Sequence, residues 1–201
     1  MTARIEQHPD RPAANLGVRI AVVSASVRKD RMGPVIADWV IAAMDESVEV
    51  DLIDLAETTL PDDSLLYPGG GGTTSDVAHR IAAADAFVIV TPEYNHSYPA
   101  SLKRLIDWHY GEWSRKPATI VAYGVHGGYA AIEHLRGVLA ELHVVTTRRV
   151  MGLPAPWACL DEHQRYAPDD GIRGGLAGSL AELRWWAEVL ADARHNRPFP
   201  A

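Results

Sequence analysis

The sequence predicts one α/β domain, in which a parallel sheet of five strands carries helices on both of its faces. Strand-like and helix-like segments alternate along the chain from residue 18 to residue 194. Three of the strand segments are short continuous apolar runs, which is typical of strands that are buried on both faces. This alternation favours right-handed crossover connections, and such connections place the strands parallel to one another.

Each predicted element depends on a local pattern. The apolar runs VRIAVVSA and AFVIVT predict buried strands, and the stripe of Ile36, Trp39, Val40 and Ala43 at spacings of three and four predicts an amphipathic helix. The predicted strands cover residues 18–25, 48–55, 86–91, 118–124 and 143–150. The predicted helices cover residues 33–43, 75–86, 101–110, 130–142 and 176–194.

The remaining residues are predicted to form a tail and loops. Residues 1–16 are polar and contain prolines, so we expect a flexible N-terminal tail before a single domain at 17–201. Residues 56–73, which include four consecutive glycines, and residues 152–175 are predicted to be loops. Ligands of open α/β sheets bind beyond the carboxyl ends of the strands, so the loops after strands 1, 3 and 4 are the candidates for a site.

The composition argues against several kinds of partner. The chain has 201 residues and a formal net charge of −7, which disfavours binding to nucleic acid through clustered Lys and Arg. No apolar run approaches the ~18 residues of a membrane-spanning helix, and the N-terminus lacks the apolar region of a signal peptide. The single cysteine, Cys159, cannot form an internal disulfide. We therefore expect a cytoplasmic protein with no nucleic acid, membrane or metal partner.

The loop SASVRKDRMG after the first strand has the composition of a phosphate site. Gly33, which a proline follows, suits the start of a helix, whose free N–H groups and positive dipole end attract anions. The hydroxyls of Ser24 and Ser26 and the guanidinium groups of Arg28 and Arg31 come just before it. The loop lacks the Walker A and G-x-G-x-x-G spacings, so a single phosphate fits better than a pyrophosphate. A solvated basic turn is the alternative.

The loops after the third and fourth strands are suited to a flat ring. The segment PEYNHSY, residues 92–98, offers polar and aromatic groups that match the edge and face of a heteroaromatic ligand. After the fourth strand, Gly124, Gly127 and Gly128 permit close approach of the backbone to a ligand. The alternative for these glycines is a tight turn between strand and helix.

These loops carry a resemblance to a known family. Residues 91–108, TPEYNHSYPASLKRLIDW, resemble the signature P-E-Y-N-x-S-x-P-x-x-L-K-N-A-I-D-W of the NADPH-dependent FMN reductase family. The segments SVRKDRMG and GVHGGYAAIEHLR resemble that family's phosphate loop and its third loop. The similarity extends from about Val18 to Val150. In the phosphate loop, Ala25, Lys29 and Asp30 depart from the usual residues.

The resemblance implies a fold, an activity and a set of cofactor-binding residues. The fold would be a flavodoxin-like three-layer sandwich with strand order 2-1-3-4-5. The protein would be an enzyme that passes electrons from NADPH or NADH through FMN to a quinone, azo compound, free flavin or metal oxyanion. The residues implied to bind FMN are Ser26, Arg28, Arg31, Met32, Gly33, Pro92, Glu93, Tyr94, Asn95, His96, Gly127 and Gly128.

No catalytic side chain is predicted, because the flavin would carry out the chemistry. His96 or His126 could donate a proton to an acceptor, although a polar lining role is the simpler interpretation. Two other functions stay open. One is an electron carrier of the flavodoxin type, and the other is an FMN-less binding or regulatory protein.

Several tryptophans predict self-association. Trp108, Trp113, Trp185 and Trp186 are large apolar groups on segments expected to lie at the surface, and adjacent Trp185 and Trp186 cannot both face one core. Together with the family resemblance, they predict a homodimer or tetramer. A wide apolar stripe that packs into the core is the alternative.

Overall fold

The computed structural model describes residues 17–67, 75–197 and 199–200. The predicted tail at 1–16 and the glycine run at 69–72 lie outside the described residues. No helix among the residues that the structure describes is long and apolar enough to cross a membrane.

The described residues contain six strands and five α-helices, which alternate except that the last two strands follow each other without a helix between them. The strands are β1 (Arg19–Ser24), β2 (Glu49–Asp54), β3 (Ala86–Pro92), β4 (Pro117–Gly124), β5 (Val145–Thr146) and β6 (Met151–Pro154). The α-helices are α1 (Gly33–Ala42), α2 (Ala78–Ala83), α3 (Ala100–Trp108), α4 (Tyr129–Glu141) and α5 (Asp170–Asn196). Three short 3₁₀ helices lie at Asp63–Leu65, Gly111–Trp113 and Pro156–Cys159.

The strands form one parallel sheet in the order β2-β1-β3-β4-β5, and β6 also pairs with β4. This order confirms the predicted flavodoxin-like topology. After β1 the chain crosses to β2 on one side, and it then returns to place β3 on the other side. The loops that follow β1 and β3 therefore lie where the order of the strands reverses, which is the place at which open α/β sheets bind ligands.

The core has two layers because successive residues of each strand point to opposite faces. On one face, Val23 of β1 and Ile89 of β3 pack in a cluster with Leu105 of α3. On the other face, Val22 and Val88 pack in a cluster with residues of α1 and α5. These two layers hold the three central strands rigidly, so their carboxyl ends form a fixed base for the loops.

The prediction of one fifth strand at 143–150 is wrong, because β5 and β6 replace it with an interruption between them. The N–H of Thr147 still donates to the carbonyl of Ala118 on β4 at 2.9 Å, but the main-chain groups that follow it bond to side chains. The N–H groups of Arg148 and Arg149 donate to the carboxylate of Glu182 on α5, at 2.8 and 3.1 Å. The carbonyl of Arg149 accepts from the hydroxyl of Thr119 at 3.0 Å. These side-chain bonds take the place of main-chain hydrogen bonds to β4, so the strand is interrupted here.

The predicted loop at 152–175 is also partly wrong, since it contains most of β6 and the first turns of α5. Asp169 caps this helix by accepting a hydrogen bond from the N–H of Ile172 at 2.9 Å. Three glycines follow in the first two turns, and their low helix propensity conceals the start of the helix in the sequence. The cap and the packing of α5 against the sheet outweigh that propensity.

The expectation that Trp108 and Trp113 lie at the surface is wrong as well. Both are buried, and Trp113 packs against Phe87 with ring centroids 4.5 Å apart. Of the four tryptophans, Trp185 on α5 has the predicted exposure at 56%, and its neighbour Trp186 is half-buried.

Candidate functional site

The loop between β1 and α1 presents an excess of hydrogen-bond donors. Among the described residues, the main-chain N–H groups of Ser26, Val27 and Gly33 have no acceptor. Helix α1 carries no acidic side chain in its first turn. Its positive dipole end and free N–H groups are therefore not neutralised by the protein itself.

Two arginines of this loop differ in their partners. Arg31 Nη1 lies 2.5 Å from Asp54 Oδ1 at the end of β2 and donates to the carbonyl of Ser26 at 3.1 Å. Arg28 has no carboxylate partner in the part of the chain that the structure describes, and its guanidinium lies 3.6 Å above the centroid of the Tyr94 ring. Arg31 thus fastens the loop to β2, whereas the charge of Arg28 is open to a ligand.

The first and third loops contact each other at Tyr94. The Tyr94 hydroxyl is hydrogen-bonded to that of Ser26, with 3.1 Å between the oxygens. Ser26 is buried, and Tyr94 is half-buried beneath Arg28. The structure therefore joins a predicted phosphate residue to a predicted ring-lining residue.

The third loop forms a tight hairpin after β3. Tyr94 and Ser97 exchange main-chain hydrogen bonds of 2.8 and 3.1 Å, and Asn95 and His96 between them have φ angles of 50° and 62°. Positive φ at both central residues is the conformation that matches the twist of a two-residue hairpin. Asn95 and His96 are exposed at its tip, while Pro92 is buried at the end of β3.

The side chain of Glu93 connects this loop to α4. Its carboxylate accepts from the N–H of Ala130 at 3.0 Å, and its own N–H donates to the carbonyl of Tyr123 at 2.8 Å. A carboxylate at a helix N-terminus is stabilised by the helix dipole. The structure thus gives this carboxylate a capping role that the sequence did not reveal.

The glycines of the fourth-strand loop are needed by the backbone. Gly127 and Gly128 have φ angles of 91° and 79°, and both are buried. A Cβ atom on Gly128 would lie 2.7 Å from the main-chain nitrogen of Tyr123. His126, beside them, is exposed. The close approach seen here is between this loop and β4, which is the tight turn that the sequence left as the alternative.

One hydroxyl group of the site, that of Tyr123, was missed in the sequence, whereas that of Ser24 was predicted. Both Ser24 Oγ and Tyr123 Oη are buried and have no hydrogen-bond partner among the residues that the structure describes. A Cβ atom built on Gly33 would lie 2.8 Å from Ser24 Oγ and 3.5 Å from Tyr123 Oη, so both hydroxyls lie against the start of α1. The signal for Tyr123 was a side chain with a hydroxyl near the carboxyl end of a largely apolar strand.

Free N–H groups, buried hydroxyls without acceptors and an unpaired guanidinium all require an acceptor. A phosphate dianion supplies several acceptor oxygens and the opposite charge, so these residues fit the phosphate of FMN. Met32, another predicted residue of the loop, is the N-cap of α1 and makes no side-chain capping bond.

The fold and the site together define a flavodoxin-like protein with a donor-rich phosphate loop next to an aromatic loop. A sequence model of the family described as NADPH-dependent FMN reductase matches residues 18–157. The chain belongs to this family, whose members are enzymes that use FMN and NAD(P)H. The predictions of family, fold, enzyme class and cofactors are confirmed.

Individual relatives are similar over most of the chain. NAD(P)H-dependent FMN reductase C4B3.06c of Schizosaccharomyces pombe is 36% identical over 148 residues, which are 68% of this chain and 74% of the relative. A 2-hydroxy-1,4-benzoquinone reductase of Burkholderia sp. is 34% identical over 138 residues, 65% of this chain and 74% of the relative. The structure of the flavoenzyme NAD(P)H:(acceptor) oxidoreductase FerB from Paracoccus denitrificans superimposes with a TM-score of 0.70 at 25% identity, covering 86% of this chain and 98% of FerB.

Proposed function

We propose that this protein transfers electrons from NAD(P)H through FMN to a quinone or another flat aromatic acceptor. The observation that carries the proposal is the contact of Arg28 and Ser26 with Tyr94, at 3.6 and 3.1 Å. This contact places Arg28 and Ser26, which are suited to bind a phosphate, next to Tyr94, which is suited to line a ring. The chain also belongs to a family of FMN enzymes. A quinone reductase among the relatives supports the choice of acceptor.

In this proposal each loop of the site binds a different part of FMN. Ser26, Arg28 and the start of α1 at Gly33 bind the phosphate, and Arg31 shapes the loop while offering its remaining N–H groups. The segment at 92–96 lines the ring, where the N–H groups of Asn95 and His96 are the main-chain donors that have no acceptor among the described residues. Gly127 and Gly128 let the fourth-strand loop close the third side. Bound FMN would supply the chemistry, as an acceptor of hydride and a donor of electrons.

The exposed apolar residues around the site favour an apolar acceptor. Tyr129 and Val125 flank the fourth-strand loop and are 60% and 66% exposed, and Trp157 follows β6 and is 47% exposed. The N–H of Ala155 donates to the carbonyl of Gly124 at 2.8 Å, which places these two segments side by side. A flat acceptor would find apolar surface there.

The proposed cytoplasmic location rests on the lone free cysteine, Cys159.

The purified protein should bind FMN more tightly than FAD, because the donor-rich loop is matched to one terminal phosphate. Fluorescence titration with each flavin would measure the two affinities.

The protein should also oxidise NADH or NADPH when a benzoquinone is present, with the parallel initial-rate lines of a ping-pong scheme. Stopped-flow absorbance would measure these rates. Flavin binding without any NAD(P)H oxidation would favour an electron carrier, and intersecting rate lines would contradict a shared site.

The protein should be a homodimer or tetramer through the outer face of α5. Trp185 and Val189 are 56% and 37% exposed there, and the rings of Trp185 and Trp186 pack edge to face at 4.9 Å. Light scattering at micromolar concentration should give at least twice the monomer mass, and Trp185→Ser should lower it. Trp157→Ser, which removes a similarly exposed tryptophan elsewhere, is the control. A monomer mass for the unmodified protein would refute this expectation.

A further inference from the structure

Four hydroxyl groups lie together beneath the start of α1. Those of Ser26 and Tyr94 pair with each other at 3.1 Å. Ser24 Oγ and Tyr123 Oη lie against Gly33 and have no partner. A buried hydroxyl without a partner lowers the stability of a folded protein, and native structures contain few of them. Two at one helix start therefore call for a functional explanation.

The state of Tyr123 makes it a permanent donor. Burial raises the pKa of the Tyr123 hydroxyl, and the nearby Ser26 hydroxyl opposes that rise only in part. The tyrosine therefore keeps its proton at physiological pH. Among the described residues, the Tyr123 hydroxyl has no hydrogen-bond partner, and the nearby Ser26 Oγ is paired with the Tyr94 hydroxyl instead.

We infer that Tyr123 is a positioning residue for the phosphate of the cofactor and acts through Ser26. When the Ser26 hydroxyl turns from Tyr94 to donate to a phosphate oxygen, its Oγ still has two lone pairs and can accept from the Tyr123 hydroxyl, so the unpaired donor is satisfied. Ser24 lies at the same helix start and its hydroxyl also has no partner among the described residues, so it supports the loop from the β1 side. This inference rests on the proposed FMN site and adds residues that sequence comparison with the family signature did not indicate.

The test is Tyr123→Phe, which removes one oxygen and keeps the ring. We expect it to weaken FMN binding roughly tenfold and riboflavin binding hardly at all, since riboflavin lacks the phosphate. The flavin-free variant should unfold at the same temperature as the unmodified protein or higher, because an unsatisfied buried hydroxyl is gone. A tyrosine with only a structural role would lower that temperature. Fluorescence titrations and calorimetry of flavin-free protein measure both effects.

Tyr166→Phe is the matched control. Tyr166 is a second buried tyrosine, packed against Trp39 at 5.0 Å away from the site, and its loss should leave the ratio of FMN to riboflavin affinity unchanged. Ser24→Ala should lower that ratio as Tyr123→Phe does. If Tyr123→Phe leaves the ratio unchanged, or weakens both flavins equally, the inference is overturned while the proposed function stands. If the unmodified protein binds no flavin, both are overturned.

Discussion

Replacing Gly128 by alanine should lower the free energy of unfolding by about 3 kcal/mol and change the conformation of the fourth-strand loop. Gly128 has a φ angle of 79°, and an added Cβ would lie 2.7 Å from Ala122 Cβ and from the nitrogen of Tyr123. Backbone and a buried methyl group cannot move aside as the end of a flexible side chain can. Chemical denaturation of the flavin-free protein would measure the loss.

Gly137→Ala is the control for this change, because Gly137 lies inside α4, the helix that Gly128 precedes, and a Cβ there would have no atom within 4 Å. We expect that variant to gain about 0.5–1 kcal/mol, since alanine has the higher helix propensity. Equal effects of the two substitutions would show that Gly128 has no special conformational requirement.

Arg28→Ala should weaken FMN binding about tenfold to a hundredfold, because a hydrogen bond to a charged group contributes about 1.5–3 kcal/mol. Riboflavin affinity should change little, and so should the stability of the flavin-free protein, since Arg28 is exposed and has no carboxylate partner among the described residues. Titration with both flavins and thermal unfolding would measure these quantities.

Arg31→Ala is expected to differ from Arg28→Ala in one respect. It should weaken FMN and also destabilise the flavin-free protein, because it leaves the largely buried Asp54 without its partner. Lys29→Ala, at an exposed neighbouring position, should change neither property much. If the Arg28 and Arg31 variants both keep full FMN affinity, the loop is only a solvated basic turn.

The central part of the fold could be predicted from local patterns. Strands β1, β3 and β4 are buried on both faces, so their sequences are continuously apolar and their ends are marked by polar or glycine residues. The order of the strands came from the family resemblance rather than from these patterns. The loop PEYNHSY was located because it is a polar segment directly after an apolar strand and because it carries a long shared signature, but its hairpin conformation was not predicted.

The elements that could not be predicted depend on contacts between distant residues. The break between β5 and β6 requires Glu182, which is more than thirty residues away and on another element. Trp113 is buried because Phe87 of β3 packs against it. In the site, the cap that Glu93 makes on α4 and the pairing of Arg31 with Asp54 arise only when separate loops meet at the sheet edge.

The interruption after β5 also affects how the sheet meets other molecules. A parallel sheet ends in a strand whose outer N–H and C=O groups could pair with a strand of another chain, which is a common start of aggregation. Here β5 has only two residues, and β6 continues the same edge beyond the interruption. Between them, the N–H groups of Arg148 and Arg149 donate to Glu182 instead of pointing outward, and both arginines add exposed positive charge. An incoming strand would meet an interrupted, charged edge, which disfavours pairing with another chain.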